Sequence, residues 1–314
     1  MKTIRLGNSA LVSSRLAYGC WRIAGSWNPA EVTPKTEAAG KKAIKAAYEA
    51  GYTLFDHADI YCDGVPEQMF GAVLKEVSGM RERVLIATKC GIRKAGEPND
   101  AAPFRYDFSP EHIVRSCEQS LKRLGVEQID LYQLHRPDYL MDPGEVGATF
   151  VKLWEQGKVR EFGVSNFRPS QVAALQAGCA RPLIVNQVEI SLANLSCFEN
   201  GTLDQCVVNK MTPMAWSPLA GGQLGSGARH LLPSQEVYRP APIVSELDTL
   251  AKQRGVSRTA VALAWLLKHP AGIVPILGST NPESIHDAVR ATEVELSREE
   301  WYRLLEVARG ERLP

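Results

Sequence analysis

The chain has 314 residues, of which 45% are hydrophobic and 23% charged, with 36 basic against 35 acidic side chains. That length and apolar content support a full globular core. The balanced charge, with no basic stripe or acidic tail, gives no support for nucleic-acid or membrane-surface binding.

Thr3 to Leu16 holds two short apolar pieces around Gly7-Asn8-Ser9 and reads as a hairpin. Arg15 to Gly19 reads as a strand ending at Cys20-Trp21-Arg22. Thr36 to Ala50 has apolar positions at helical spacing and stops at Gly51. A regular alternation follows. Strand Leu54 to Asp56 precedes helix Pro66 to Val77, and strand Val84 to Lys89 precedes a long loop and helix Pro110 to Leu124, capped by Ser109. Strand Ile129 to His135 leads to helix Pro143 to Gln156, and strand Val159 to Ser165 to helix Pro169 to Ala177. Strand Leu183 to Glu189 precedes a short helix, Leu203 to Asn209. After strand Thr212 to Trp216 come a Gly-rich loop and helices Val244 to Arg254 and Arg258 to Lys268. Strand Ile273 to Leu277, helix Pro282 to Ala291 and a last helix, Arg298 to Arg309, complete the chain.

Eight strands separated by helices imply parallel pairing through crossovers. The expectation is an α/β fold: a (β/α)8 TIM barrel over 1–314, one domain, with an N-terminal hairpin and extra C-terminal helices. A doubly wound open sheet is second, because no glycine fingerprint follows the first strand. The loop from Gly221 to Pro242 is long enough to be a functional flap. Seven cysteines form no Cys-x2-Cys pair, and no apolar h-region follows Met1. A reducing, cytoplasmic location is expected. The longest apolar run, Ala260 to Leu267, is far short of a membrane span.

Asp56, Lys89 and His135 each close an expected barrel strand, and those strands are consecutive. Neighbouring strands lie roughly 5 Å apart, so the three side chains and Tyr61, five residues after Asp56, can meet at one mouth. A phenol, with a pKa of about 10, is a poor acid at neutral pH. An ammonium beside it is expected to lower that pKa, with Asp56 holding Lys89 charged and His135 orienting a carbonyl oxygen. Taken singly, each residue has a plainer reading: a turn cap, a solvated lysine, a packed loop aromatic, a structural histidine. Four coincident placements favour proton transfer. No zinc-like spacing is present, and no metal is expected.

The motifs Asp56-His57-Ala58-Asp59-Ile60-Tyr61, Ala87-Thr88-Lys89, Leu134-His135, Gly163 to Phe167, Asn186 to Glu189 and Trp216 to Leu219 stand in this order over almost the whole chain. Together they resemble the aldo-keto reductase superfamily. The resemblance implies reduction of a small carbonyl substrate by NADPH, with NADH possible. It implies a catalytic tetrad of Asp56, Tyr61, Lys89 and His135, with Tyr61 the proton donor. It implies that Ser165, Asn166 and Gln187 bind the nicotinamide carboxamide and that the ring stacks on Trp216. Ser217, Pro218, Leu219, Gly221 and Gly222 match the segment that covers the pyrophosphate. Trp21 is expected at the cofactor and, with Trp27, in the pocket wall.

Two departures matter. Family members often carry a basic residue near Gly278-Ser279 and an arginine where Ser284 stands, to grip a 2′-phosphate. Here Leu277 to Ile285 has no base, leaving Gly278, Ser279, Thr280, Asn281 and Ser284 with helix-start amides. Discrimination between NADPH and NADH is therefore expected to be weak. Arg136 stands where many reductases have tryptophan; pairing with a rim acid ranks ahead of binding an anionic substrate. The chain stops soon after its last helix, so an open pocket and broad specificity are expected. Cys20, Cys62 and Cys90 read as bystanders. A lyase using Lys89 as a Schiff-base nucleophile and a cofactor-binding sensor subunit are the alternatives. Oligomeric state is not legible.

Overall fold

Residues 1–227 and 229–313 are described by a computed structural model. The first two strands, β1 (Thr3–Arg5) and β2 (Val12–Ser14), form the antiparallel hairpin. Then come β3 (Ala17–Gly19), α1 (Pro34–Glu49), β4 (Leu54–Asp56), α2 (Val65–Glu76) and β5 (Leu85–Cys90). A small ribbon, β6 (Ile92–Arg93) with β7 (Arg105–Tyr106), interrupts the loop before α3 (Pro110–Leu124). The chain continues with β8 (Ile129–Leu134), α4 (Pro143–Glu155), β9 (Val159–Ser165), α5 (Pro169–Gly178) and β10 (Leu183–Glu189). Next are α6 (Ser196–Glu199), α7 (Thr202–Val208), β11 (Thr212–Trp216), α8 (Ala241–Arg254) and α9 (Arg258–Leu267). The last elements are β12 (Val274–Leu277), α10 (Pro282–Val289) and α11 (Arg298–Arg309).

The eight strands β3, β4, β5, β8, β9, β10, β11 and β12 close in that order, and every pairing is parallel. Closure through β12 and β3, with Leu277 opposite Tyr18, removes the open sheet as an alternative. The structure differs from expectation at the joints. The β6–β7 ribbon lacks a strand-length apolar run, α6 is one turn, and α8 starts three residues early at Ala241. Side chains cap several helix starts, and α1 begins at Pro34, two residues before the expected Thr36. Thr33 caps α1, Ser109 caps α3 and Asp142 caps α4, each with proline in the first turn.

Strand periodicity sorts the barrel interior. Ala17, Leu54, Ala87, Leu131, Val185, Met214 and Val274 fill it, and Leu6 and Leu11 of the N-terminal hairpin pack into the same buried cluster. The hairpin therefore closes the end where the strands begin. In parallel register Asp56 lies opposite Ala87, and Lys89 opposite Gln133. Side chains two residues apart share a face. One step up from the apolar floor on β4, β5, β10 and β11 stand Asp56, Lys89, Gln187 and Trp216; on β8 two steps reach His135. The open end of the barrel thus collects polar groups from six strands, with Ser165 of β9 opposite Gln187.

Candidate active site

Lys89 is the hub. Its ammonium is fully buried and donates three hydrogen bonds: to Asp56 Oδ2 at 2.7 Å, to the His57 carbonyl at 2.7 Å and to the Tyr61 hydroxyl at 3.2 Å. An ammonium has three donors, so its capacity is matched. Burial opposes the charge, but Asp56 and Tyr61 outweigh it and hold the Lys89 pKa above its ordinary value. A protonated amine is no nucleophile, which disfavours the Schiff-base alternative. The second oxygen of Asp56 accepts from Gln187 Nε2 at 2.8 Å, tying β10 to β4 across the barrel.

Tyr61 departs from expectation. Burial raises its pKa and Lys89 lowers it, while Asp56 raises it further; the net position is above the ordinary phenol value. The residue is therefore held as the neutral phenol. Burial, then Lys89 and Arg136, drive the His135 pKa well below the ordinary range, so its ring is neutral. The ring stands edge-on to Tyr61 at 5.8 Å, and its Nδ1 is buried without a partner. Trp27 also packs edge-on to Tyr61, at 5.9 Å, and its ring centre lies 5.5 Å from that of Trp21. The three residues after Tyr61 have positive φ: Cys62 at 40°, Asp63 at 52° and Gly64 at 86°. For the two non-glycine residues this costs of order 1–3 kcal/mol each.

A second network continues around the mouth. Trp216 Nε1 donates to Asn166 Oδ1 at 3.0 Å. Asn166 Nδ2 donates to the His135 carbonyl at 3.1 Å and to Ser165 Oγ at 2.9 Å, and Ser165 Oγ donates to the Gln187 carbonyl at 2.9 Å. The structure brings Ser165, Asn166, Gln187 and Trp216 together as expected. It also shows the Asn166 amide engaged on both atoms, and the Gln187 nitrogen turned to Asp56. Arg136 corrects an expectation: among the described residues it pairs with no acid. Its guanidinium lies 6.0 Å from the Trp216 ring centre. Among the described residues it is the one partly buried arginine whose side chain has neither hydrogen bond nor ion pair.

A cleft of about 400 Å³ runs outward from this mouth. It is lined by Trp21, Ser217, Pro218, Leu219, Gly221 and Gly222 on one side and by Gly278, Ser279, Thr280, Asn281 and Ser284 on the other. The cleft fits an elongated nucleotide. A Cβ on Gly278 would stand 2.9 Å from Trp21 Nε1, so the backbone there needs glycine to lie against the indole. Where the walls converge, a Cβ on Gly227 would reach within 3.8 Å of Ser284 Oγ. Asn281 is less free than expected, since its side-chain oxygen accepts from the Glu283 amide and caps α10.

Several lining residues escaped sequence reasoning. Arg22 stacks on Trp21 at 4.2 Å and donates to the His230 carbonyl at 3.1 Å, and burial lowers its pKa to about 10. Glu283 and Asp287 put two carboxylates on the α10 wall. No periodic pattern marks any of these. The flap after Trp216 is anchored: Gln235 Nε2 and the Tyr238 hydroxyl both donate to Glu189 Oε1, at 2.8 and 3.1 Å.

A closed parallel barrel with a buried acid–amine pair, a phenol and an imidazole at its open end defines a barrel oxidoreductase acting on carbonyl groups. The chain belongs to the aldo-keto reductase family, whose pattern, described as Aldo/keto reductase family, matches residues 15–309. It is 41% identical to a 6-dehydroglucose reductase of Novosphingobium aromaticivorans, over 99% of this chain and 96% of that one. A 6-dehydroglucose reductase of Agrobacterium fabrum is 40% identical, with 99% of each chain covered. The fold superposes on a glycerol dehydrogenase of Gluconobacter oxydans with a TM-score of 0.84 at 28% identity, covering 97% and 94% of the two chains. Folds of this family bind nicotinamide cofactors. Among the described residues, no helix is long and apolar enough to cross a membrane.

Proposed function

We propose that residues 1–314 form one barrel domain that reduces an aldehyde or ketone to the alcohol, with Tyr61 as proton donor. The observation that carries this is the Lys89 ammonium, shared between Asp56 and the Tyr61 hydroxyl beside a neutral His135. A reduced nicotinamide bound in the cleft supplies the hydride. His135 offers a ring N–H to the carbonyl oxygen and holds it near Tyr61. As negative charge develops on that oxygen, the Tyr61 proton moves to it. Lys89 stabilises the phenolate left behind, and Asp56 keeps Lys89 in place. Ser165, Asn166 and Gln187 would hold the carboxamide of that cofactor, and Trp216 would offer its indole face to the ring. Ser217 to Leu219, Gly221 and Gly222, which line the cleft, would cover its pyrophosphate. The unpaired cysteines suit a reducing compartment, and we assign the protein to the cytoplasm.

The cofactor is NADPH or NADH with weak discrimination. A 2′-phosphate at Gly278 to Ser284 would meet no base on that wall and would face Glu283 and Asp287, with Arg22 across the cleft. One charge-assisted bond contributes about 1.5–3 kcal/mol, so without it the two dissociation constants are expected within about tenfold of each other. Fluorescence titration with both cofactors measures this, and a thousand-fold preference for NADPH would refute it.

The substrate is a polyhydroxylated aldehyde of the kind named for the two curated relatives. The unmatched donors of Arg136 beside His135 suit the hydroxyl groups of such a molecule. Arg136→Met is expected to lower kcat/KM for a sugar-type aldehyde by about 10–100-fold more than for propanal. Equal losses on both substrates would remove Arg136 from substrate recognition. An absorbance assay at the nicotinamide band, run over a carbonyl panel with each cofactor, tests the reaction itself.

A further inference from the structure

A buried charge cluster beside the Tyr61 turn lies outside the chemistry described above. Glu67, in the first turn of α2, is wholly buried. Its Oε2 lies 2.6 Å from Arg123 Nε on α3, and its Oε1 accepts from the Thr88 hydroxyl on β5, also at 2.6 Å. Thr88 immediately precedes Lys89. Arg123 also donates to Ser120 Oγ at 3.2 Å. Its side chain forms the floor of the turn after Tyr61: a Cβ on Gly64 would fall 2.4 Å from Arg123 Cδ and Nε. A second carboxylate, Asp59, is held at a pKa of about 7 by burial and then by Glu67, against the pull of Arg123. Its backbone amide donates to the Lys89 carbonyl at 3.0 Å. The cluster therefore joins the strained turn of Tyr61 to the barrel wall at β5.

We propose that Glu67, clamped between Arg123 and Thr88, is a positioning residue that ties the turn bearing Tyr61 to the strand bearing Lys89 and so sets the contact between them. It touches neither substrate nor cofactor. The inference rests on the reading of Tyr61 as proton donor. As a carboxylate Glu67 accepts from the guanidinium and the hydroxyl together and supplies the countercharge to Arg123.

Glu67→Gln keeps the volume and removes the charge that pairs with Arg123. The groups facing the Tyr61 hydroxyl are Lys89 on β5, Asp56 on β4, and His135 and Arg136 after β8. Loss of the Lys89 contact weakens the strongest influence lowering the phenol's pKa. The expected result is a fall in kcat of about tenfold or more per folded site. The alkaline limb of kcat is expected to move up by about half a unit or more, with cofactor dissociation constants within about threefold of wild type. A merely structural role would lower the melting temperature and leave the limb in place. Thr88→Val removes only the hydroxyl and should shift the limb the same way, which keeps the question open to test if Glu67→Gln does not fold. Arg123→Lys keeps the charge and should restore part of the rate relative to Arg123→Met. The ultraviolet titration of the phenol, each protein minus its Tyr61→Phe counterpart, reads the same shift without turnover. A wild type inactive on carbonyls would therefore sink the reductase reading while this titration still decides the role of Glu67. An unmoved titration in a folded Glu67→Gln or Thr88→Val protein overturns the proposal.

Discussion

Tyr61→Phe is expected to lower kcat for carbonyl reduction by about 10²–10⁴-fold, the usual contribution of a positioned general acid. The ring survives the change, so its edge contacts with Trp27 and His135 at 5.9 and 5.8 Å persist. Lys89 loses one acceptor at 3.2 Å and keeps two at 2.7 Å, so stability should change by no more than about 1 kcal/mol. Cofactor binding should be nearly untouched, because the hydroxyl faces Lys89 while the cleft residues lie on other strands. The pH dependence follows from the direction of the shift. The donor must carry its proton, and its pKa lies above the ordinary phenol value. Wild-type reduction should therefore stay flat through neutral pH and fail only in strong alkali. Turnover within a few fold of wild type in Tyr61→Phe would assign the acid elsewhere.

Lys89→Met carries a second penalty. It removes the charge that stabilises the phenolate, and kcat should again fall by about 10²–10⁴-fold. It also leaves the Asp56 carboxylate buried without its cation. Breaking one side of a buried pair costs about 3–5 kcal/mol, which a urea melt would show as a lower midpoint at unchanged slope. The Gln187 hydrogen bond at 2.8 Å does not replace the lost charge. Asp56→Asn combined with Lys89→Met removes the stranded anion, so the double variant should be more stable than the sum of the two single losses implies. Strict additivity in that cycle would mean that the pair contributes nothing as a pair.

The barrel and the meeting of Asp56, Tyr61, Lys89 and His135 were legible in the sequence because both obey local rules. Strand runs end on Asp56 and Lys89, and capped helices separate them. What escaped it depends on burial or on contacts across the fold. Lys89 is visible as a neighbour of Tyr61, but the desolvation that outweighs its pull is not, and the expected lowering of the phenol pKa was reversed. Arg136 looked like a rim ion pair because sequence shows the charge but not whether an acid lies within reach. Glu67 reads in sequence as an ordinary acid in the first turn of a helix. Only the packing of α2 between α3 and β5 shows it sealed from water. Gln187 reaches Asp56 from 131 positions away, a separation that no motif records.

The placement of the thiols has a chemical consequence. An enzyme that reduces carbonyl compounds works among electrophiles, which add to thiolates and condense with free amines. All seven cysteines are buried and unpaired, and burial raises the pKa of each, including Cys20, Cys62 and Cys90 beside the tetrad. The thiolate is the reactive form, and here it is suppressed. The one lysine within reach of the reacting carbonyl is locked as an ammonium by three acceptors. Among the described residues, a reactive substrate at the mouth therefore meets neither a free thiolate nor a free amine.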